Sequence, residues 1–359
     1  MKNTVDAAAF YKAMTALLDI PAKSSISALR EIKAEFTADQ CVLSATDLDT
    51  WMSVTIPAGG DSFDFVFRNS ANIQKVCRHF DGTLELDLQQ RGDEAFLTMR
   101  SGGKGGEFLV YDTQDCPVWP KLEVKQTYTA NAAKILACVK QVKYAVDLRN
   151  TRPEYHGVLF QNNHIWALEG HRAACCDDGG LDVEKPFTVG VSALEQLKAF
   201  GDADMQISVA DNWVLFQNEH IRLLAKRIPN AAPITYESVV PQKWNEEFCF
   251  HRKDFVQALK YLLACVGKAD KPYVRFHNGT VSLHVNGCFY KAAVPISMES
   301  SIIFGFDIRY MLDALTQFEK QDIVTMRLTS SLGAISLVAG SSSAIVLPVR
   351  LREEEQKAA

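Results

Sequence analysis

Phe65-Val66-Phe67-Arg68 runs into Ala71–Phe80, Phe187-Thr188-Val189 runs into Ala193–Phe200, and Ile303-Phe304-Gly305-Phe306 runs into Arg309–Phe318. Each pair reads as an extended apolar segment feeding a helix. The pattern occurs three times at a spacing of about 120 residues, which is too long for a solenoid unit and suits a repeated domain.

Working outward, each unit opens on an amphipathic helix. The first spans Asp6 to Leu18, with Phe10, Met14, Leu17 and Leu18 on one face. The second spans Ala132 to Val146, with Ile135, Leu136, Val139 and Val142. The third spans Lys253 to Val266, with Val256, Leu259, Leu262, Leu263 and Val266. All follow the i, i+3, i+4, i+7 spacing of a half-buried helix. Strand-like runs follow at Cys41–Ala45, Val158–Gln161 and Tyr273–His277, with Asn162-Asn163 and Asn278-Gly279 as hairpin turns. After the second helix of each unit comes an alternating run: Leu84–Leu88, Met205–Val209 and Ile323–Leu328. Each unit then closes with two more strands. The fold class is therefore α+β: three repeated domains, each with two helices and antiparallel sheets. The expected boundaries are 1–124, 125–243 and 244–359, the last carrying a short charged tail. Pseudo-symmetric modules joined head to tail can close a ring.

Bulk properties narrow the class. A chain of 359 residues exceeds one ordinary core. No run of about 18 apolar residues is present, so no membrane span is expected, and Met1–Ala8 lacks the apolar centre of a signal peptide. The nine cysteines are scattered without a C-x-x-C pair, which suits buried thiols in a reducing cytoplasm rather than a disulfide framework or zinc ribbon. The net charge of −5 excludes tight, phosphate-driven gripping of nucleic acid by the chain as a whole.

Four regions carry a resemblance. They are Leu43–Asp49 (LSATDLD), Thr151–Phe160 (TRPEYHGVLF), Leu168–Ala174 (LEGHRAA), and Phe306–Leu315 (FDIRYMLDAL) with the ending Leu347–Leu351 (LPVRL). In order and spacing, over nearly the whole chain, they resemble the bacterial DNA sliding clamp, the β subunit of the replicative DNA polymerase. The resemblance implies three sliding-clamp domains per chain, closed as a head-to-tail homodimer into a ring around duplex DNA. It implies a non-catalytic, cofactor-free processivity factor, cytoplasmic and nucleoid-associated. Its partners would be the polymerase, the clamp loader and other proteins carrying clamp-binding motifs. The acidic balance fits such a device: retention is topological, so a mildly basic lining is enough and strong phosphate affinity would slow sliding.

Three sites follow from the resemblance. A partner-peptide pocket would use Arg152, Tyr155, Leu168, Gly170, His171, Arg172, Val239, Ile345, Leu347, Pro348, Val349 and Arg350, an apolar cleft rimmed by cationic donors. Tyr155, Leu168 and Ala173 depart from the family pattern, so an altered peptide preference is expected, and the tail beyond Leu351 is a candidate cover for the pocket. A DNA-facing surface would include Lys23 and Arg149, joined on helix periodicity by Arg78, Lys134, Lys140, Lys253 and Lys260. Ala71 and Ser192 stand where relatives often carry a cation, which makes the lining less basic. A dimer interface would use Phe108 and Val110 on a strand edge, and Leu262 and Leu263 on a helix.

Other signals are weaker. Gly102-Gly103-Lys104-Gly105-Gly106 lacks the spacing of a phosphate loop and sits between strands. No histidine and cysteine pairing here has zinc-site spacing, so no metal is expected. Two competing readings remain: a cytoplasmic enzyme of repeated α+β domains using His171, Cys175 and Asp177, and a clamp-fold scaffold without a DNA role.

Overall fold

The computed structural model describes residues 1–20, 27–229, 234–268, 270–318 and 321–351. The first repeat holds β1 (Lys2–Asp6), α1 (Ala7–Leu17), β2 (Lys33–Phe36), β3 (Gln40–Thr46), β4 (Thr50–Gly60), β5 (Phe63–Phe67), α2 (Ser70–Cys77), β6 (Thr83–Arg91), β7 (Glu94–Ser101) and β8 (Lys104–Tyr111). The second holds β9 (Gln126–Asn131), α3 (Ala132–Val142), β10 (Gly157–Asn162), β11 (His164–Leu168), β12 (Arg172–Cys176), β13 (Val183–Gly190), α4 (Val191–Leu194), β14 (Asp204–Val209), β15 (Trp213–Gln217) and β16 (Ile221–Lys226). After the short α5 (Tyr236–Val239), the third holds β17 (Glu246–His251), α6 (Arg252–Ala264), β18 (Tyr273–His277), β19 (Thr280–Val285), β20 (Cys288–Ala293), β21 (Phe304–Asp307), α7 (Ile308–Gln317), β22 (Ile323–Leu328), β23 (Ile335–Ala339) and β24 (Ser342–Val346). One order recurs three times: strand, helix, four strands, helix, three strands.

The chain divides into two compact units, Met1–Ala133 with Ser192–Arg227, and Lys134–Val191 with Ile228–Ala359. The first unit contains one sheet of order β1-β6-β7-β8-β5-β2-β3-β4-β16-β15-β14-β9, with β1 also pairing β4. The second contains β13-β10-β11-β12-β24-β23-β22-β17 and a separate sheet β20-β19-β18-β21. The fourth strand of one repeat pairs the last strand of the next, β4 with β16 and β12 with β24. Their remaining counterparts behave differently. β20 ends its sheet, and β8 pairs β7 along its length but β5 only at Val110 and Tyr111.

Local chemistry explains the elements. Asp6 caps α1 by accepting from Ala9 N at 2.8 Å, and Asp307 caps α7 by accepting from Arg309 N at 2.8 Å. Such caps contribute roughly 1 kcal/mol each. The apolar face of α1 buries Phe10, Met14 and Leu17, and that of α6 buries Phe255, Val256, Leu259 and Leu262. The second helix of the middle repeat differs from expectation: beyond Leu194 it tightens into a 3-10 turn over Glu195–Phe200. There the buried Gln196 side chain donates to Ser192 O at 3.3 Å, taking the carbonyl that its own N–H would use in an α-helix. The glycine run is a hairpin: Ser101 opposes Lys104, and Gly102 and Gly103 adopt φ of 55° and 77°, as a two-residue turn between twisted strands requires.

Candidate functional site

On β11, β12 and β24 the alternation of side chains decides which residues meet. Trp166 lies opposite Cys175, Leu168 opposite Ala173, and Ala173 opposite Ile345. These residues therefore share one face of the sheet. Tyr155, presented by the 3-10 turn Pro153–Tyr155, and Leu159 of β10 complete a buried apolar cluster. Ile234, Tyr236, Val239 and Val240 wall it from the segment around α5. Arg152 packs its guanidinium over the Tyr155 ring at 5.9 Å and donates to Tyr155 Oη at 3.4 Å.

The polar members group elsewhere on the same strands. Arg172 leaves β12 on the face opposite Ala173. Its guanidinium stacks on Tyr310 of α7 at 4.7 Å and on Tyr144 at 5.3 Å. It forms a close ion pair with Asp313, and its Nε lies 3.2 Å from Glu169 Oε1, at ion-pair distance without hydrogen-bond alignment. Burial, above all, pushes the Tyr144 and Tyr310 hydroxyls up, so both stay neutral beside the cation. His171 is 65% exposed, stacks on Tyr310 at 5.7 Å and faces Glu169 at 3.7 Å. Leu347, 42% exposed, donates its N–H to His171 O at 2.8 Å, and Val349 donates to Gly305 O at 2.8 Å. A Cβ at Gly305 would sit 2.6 Å from Leu351 Cδ2, so the close passage of this last segment depends on glycine.

Of the expected pocket residues, Tyr155, Leu168, Ile345 and Val239 thus form an apolar floor and wall, with Arg152 against Tyr155. Gly170, His171 and Leu347 are exposed beside one another where Leu347 N donates to His171 O, with Pro348 half-buried beside Leu347, while Arg172 lies on the opposite face of β12. Val349 and the exposed Arg350 instead line a cavity of about 950 Å³ with Glu246, Ser301, Phe304 and Leu332. Sequence reasoning missed Trp166, Tyr236, Glu169, Tyr310 and Asp313. Trp166 was legible as the i−2 neighbour of Leu168 on one strand face, and Glu169 as the acid three residues before Arg172; Tyr236, Tyr310 and Asp313 join only through tertiary contact.

The basic candidates are exposed. On α3, Lys134 and Lys140 project opposite buried Ile135, Cys138, Val139 and Val142. Lys253 and Lys260 sit seven residues apart on the outer face of α6, Lys253 being 3.7 Å from Asp322. Arg78 caps the C-terminus of α2, and Arg149 lies in the loop after α3. Lys23 lies outside the described residues, as does the tail beyond Leu351. Among the dimer candidates, Phe108 and Leu263 are half-buried, but Val110 is only 4% exposed and Leu262 has no exposed surface. The last two side chains are buried within this chain, Leu262 because apolar periodicity marks a buried helix stripe without saying what buries it.

The trio named for a catalytic reading does not assemble. His171 stands at the rim, while His164 is the histidine beside Cys175 and Asp177. Burial, then the Asp177 carboxylate, push the Cys175 thiol up, opposite to what a nucleophilic cysteine needs.

No family model matches the chain. The beta sliding clamp of Staphylococcus aureus is 20% identical over 327 residues, covering 85% of this chain and 86% of that protein. The solved DNA polymerase sliding clamp of Bacillus subtilis matches with a TM-score of 0.85 at 18% identity, covering 98% of this chain and 100% of that one. The DNA polymerase III beta subunit of Pseudomonas aeruginosa matches at 0.86 and 16% identity, with the same coverage. The chain has the sliding-clamp fold and is similar in sequence, over most of its length, to a bacterial beta sliding clamp.

Proposed function

We propose that this chain is a DNA polymerase processivity factor: a non-catalytic clamp that closes around duplex DNA and tethers a replicative polymerase and other replication or repair proteins. The observation that carries the reading is the repeated strand junction. Two junctions of one kind, β4·β16 and β12·β24, are made within the chain, and the third pair, β20 and β8, is left over. A second copy placed head to tail satisfies both leftover strands, and two copies then close a ring of six equivalent modules, bounded as 1–124, 125–243 and 244–359. Phe108 on β8 and Leu263 on α6, which packs under β20, belong to that interface.

The helix cations Arg78, Lys134, Lys140, Lys253 and Lys260, with Arg149, are the groups that meet DNA in this reading. Sparse positive charge on a chain of net charge −5 favours sliding over gripping. The apolar cluster around Tyr155 and Leu168, with the exposed His171 and Leu347 beside it, receives short peptides of the polymerase, the clamp loader and other partners, in the cytoplasm at the nucleoid, and Arg172, on the other face of β12, holds the Tyr310 ring against which His171 stacks.

Loading onto DNA tests the function. The protein, placed on nicked circular plasmid by a bacterial clamp loader, should co-elute with it through gel filtration and be released when the plasmid is cut once. Retention on linear DNA, or none on circles, refutes a topological clamp. For the cleft, Leu347→Ala should weaken a fluorescent clamp-binding peptide roughly tenfold, about 1.4 kcal/mol. Unchanged affinity would remove Leu347 from the pocket.

A further inference from the structure

One polar cluster serves neither ring closure nor the peptide rim. Beyond the pair Ile165–Cys176, the antiparallel register brings His164 of β11 level with Asp177, and Cys175 lies two residues before Asp177 on the same side of β12. His164 Nδ1 is 2.7 Å from Asp177 Oδ1. Cys175 Sγ lies 3.2 Å from that same oxygen and 3.7 Å from His164 Nδ1. A nitrogen, a thiol sulfur and a carboxylate oxygen thus converge within 4.8 Å of one another. Cys175 is buried, His164 is half-buried, and Asp177 is 37% exposed, so the cluster opens to solvent on one side.

This donor set selects a cation class. Thiolate and imidazole suit a borderline ion of the zinc type, whereas calcium and magnesium take oxygen ligands. Tetrahedral bonds of about 2.0 Å to nitrogen and oxygen and about 2.3 Å to sulfur place the donor atoms roughly 3.3–3.5 Å apart. The two sulfur distances already lie within a few tenths of an ångström of this spacing. The His164–Asp177 contact must open by about half an ångström, exchanging a hydrogen bond for two metal bonds.

We propose that His164, Cys175 and Asp177 form a binding site for one zinc-class divalent cation at the edge of the apolar cleft. The ion binds His164 Nδ1 once the proton that Nδ1 shares with Asp177 is lost to solvent and Nε2 carries the ring's one remaining N–H, and it also takes a carboxylate oxygen of Asp177 and the sulfur of Cys175. The S–H bond of Cys175 breaks as the sulfur–metal bond forms, and its proton passes to solvent. Water takes the fourth position on the open side. The site also reaches the cleft wall. The Tyr236 ring lies 4.2 Å from the His164 ring, and its hydroxyl is 2.9 Å from Ser343 Oγ, on the β24 residue opposite Cys175. Fixing His164 therefore steadies the ring on which the α5 segment rests.

The test uses the full chain, stripped of metal with a chelator and kept reduced. Cobalt(II) titration should produce a thiolate-to-cobalt charge-transfer band saturating at one ion per chain, and zinc should displace it. Cys175→Ser should abolish the band. Asp177→Asn, which keeps the thiol and approximates the carboxylate's shape, should weaken zinc by more than about tenfold, since even outer-shell changes at such sites cost 10–100-fold. His164→Gln should do the same. Far-ultraviolet circular dichroism of the metal-free variants checks that each is folded. The proposal is overturned if the wild type shows no charge-transfer band, or if band and affinity survive in the folded Cys175→Ser and Asp177→Asn proteins. Survival would assign the ion to Cys249, Cys265 or Cys288, the more accessible thiols of the same unit.

Discussion

Arg172→Ala is the most informative single perturbation of the polar residues around β12. The Arg172 side chain is 16% exposed and lies between two carboxylates, Glu169 at 10% exposure and Asp313 at 48%. Removing one partner of a buried ion pair costs about 3–5 kcal/mol, because the remaining charge stays desolvated. The half-exposed Asp313 adds only about 0–1 kcal/mol. Loss of the stacking on Tyr310 and Tyr144 adds about 0.5–1 kcal/mol each. With the lower end of each range the loss is about 4 kcal/mol. With a urea dependence of about 3 kcal/mol per molar, the midpoint should fall by about 1.3 M. Urea unfolding followed by circular dichroism reads this directly. Arg172→Lys, which keeps the charge but loses the planar stack, should show a smaller fall. Adding Glu169→Gln to Arg172→Ala should restore about half the loss, since no buried charge is then stranded. A fall below about 0.2 M for Arg172→Ala, or no recovery in the double variant, would refute the reasoning.

Phe108→Glu should yield monomers at low micromolar concentration by light scattering, because a carboxylate at a strand-to-strand seam carries a desolvation cost; a stable dimer would remove β8 from the interface. Glu246 bears on pH. Partial burial alone would raise its pKa, but hydrogen bonds from Ser300 Oγ, Ser301 Oγ and N, and Ile302 N outweigh burial and hold it below the ordinary glutamate range. A depressed folded-state pKa contributes stability above the unfolded value and loses it as pH falls through the folded one. Glu246→Gln should therefore melt lower than wild type at pH 7, with the two curves converging in acid; a constant gap across that window would contradict the assignment. Gly305→Ala should push Leu351 outward and speed hydrogen exchange at Val349 N, whose acceptor is Gly305 O; unchanged exchange would show that the segment yields without cost.

How much of this was legible beforehand follows from the range of each interaction. The three opening helices and the strand-to-helix segments were readable because apolar periodicity is local. The 3-10 turn at Glu195–Phe200 was not: its apolar spacing fits a helix, and only the Gln196 side-chain bond to Ser192 O shows why it tightens. Leu262 and Val110 mark the same boundary, since each reads as an apolar residue in the right place and only packing reveals that its own core consumes it.

The sequence by itself determined the repeat, the α+β class and the clustering of Tyr155, Leu168 and Ile345. Strand alternation and family motifs are properties of order along the chain. Only the tertiary structure decided that Arg172 turns away from that cluster into a cage of two tyrosines and two carboxylates. It alone showed that His164, not His171, meets Cys175 and Asp177, and that, among the described residues, β20 ends its sheet and β8 meets β5 only at Val110 and Tyr111. Those outcomes depend on strand register and on partners more than a hundred residues away, such as Asp313 for Arg172, which no local spacing encodes.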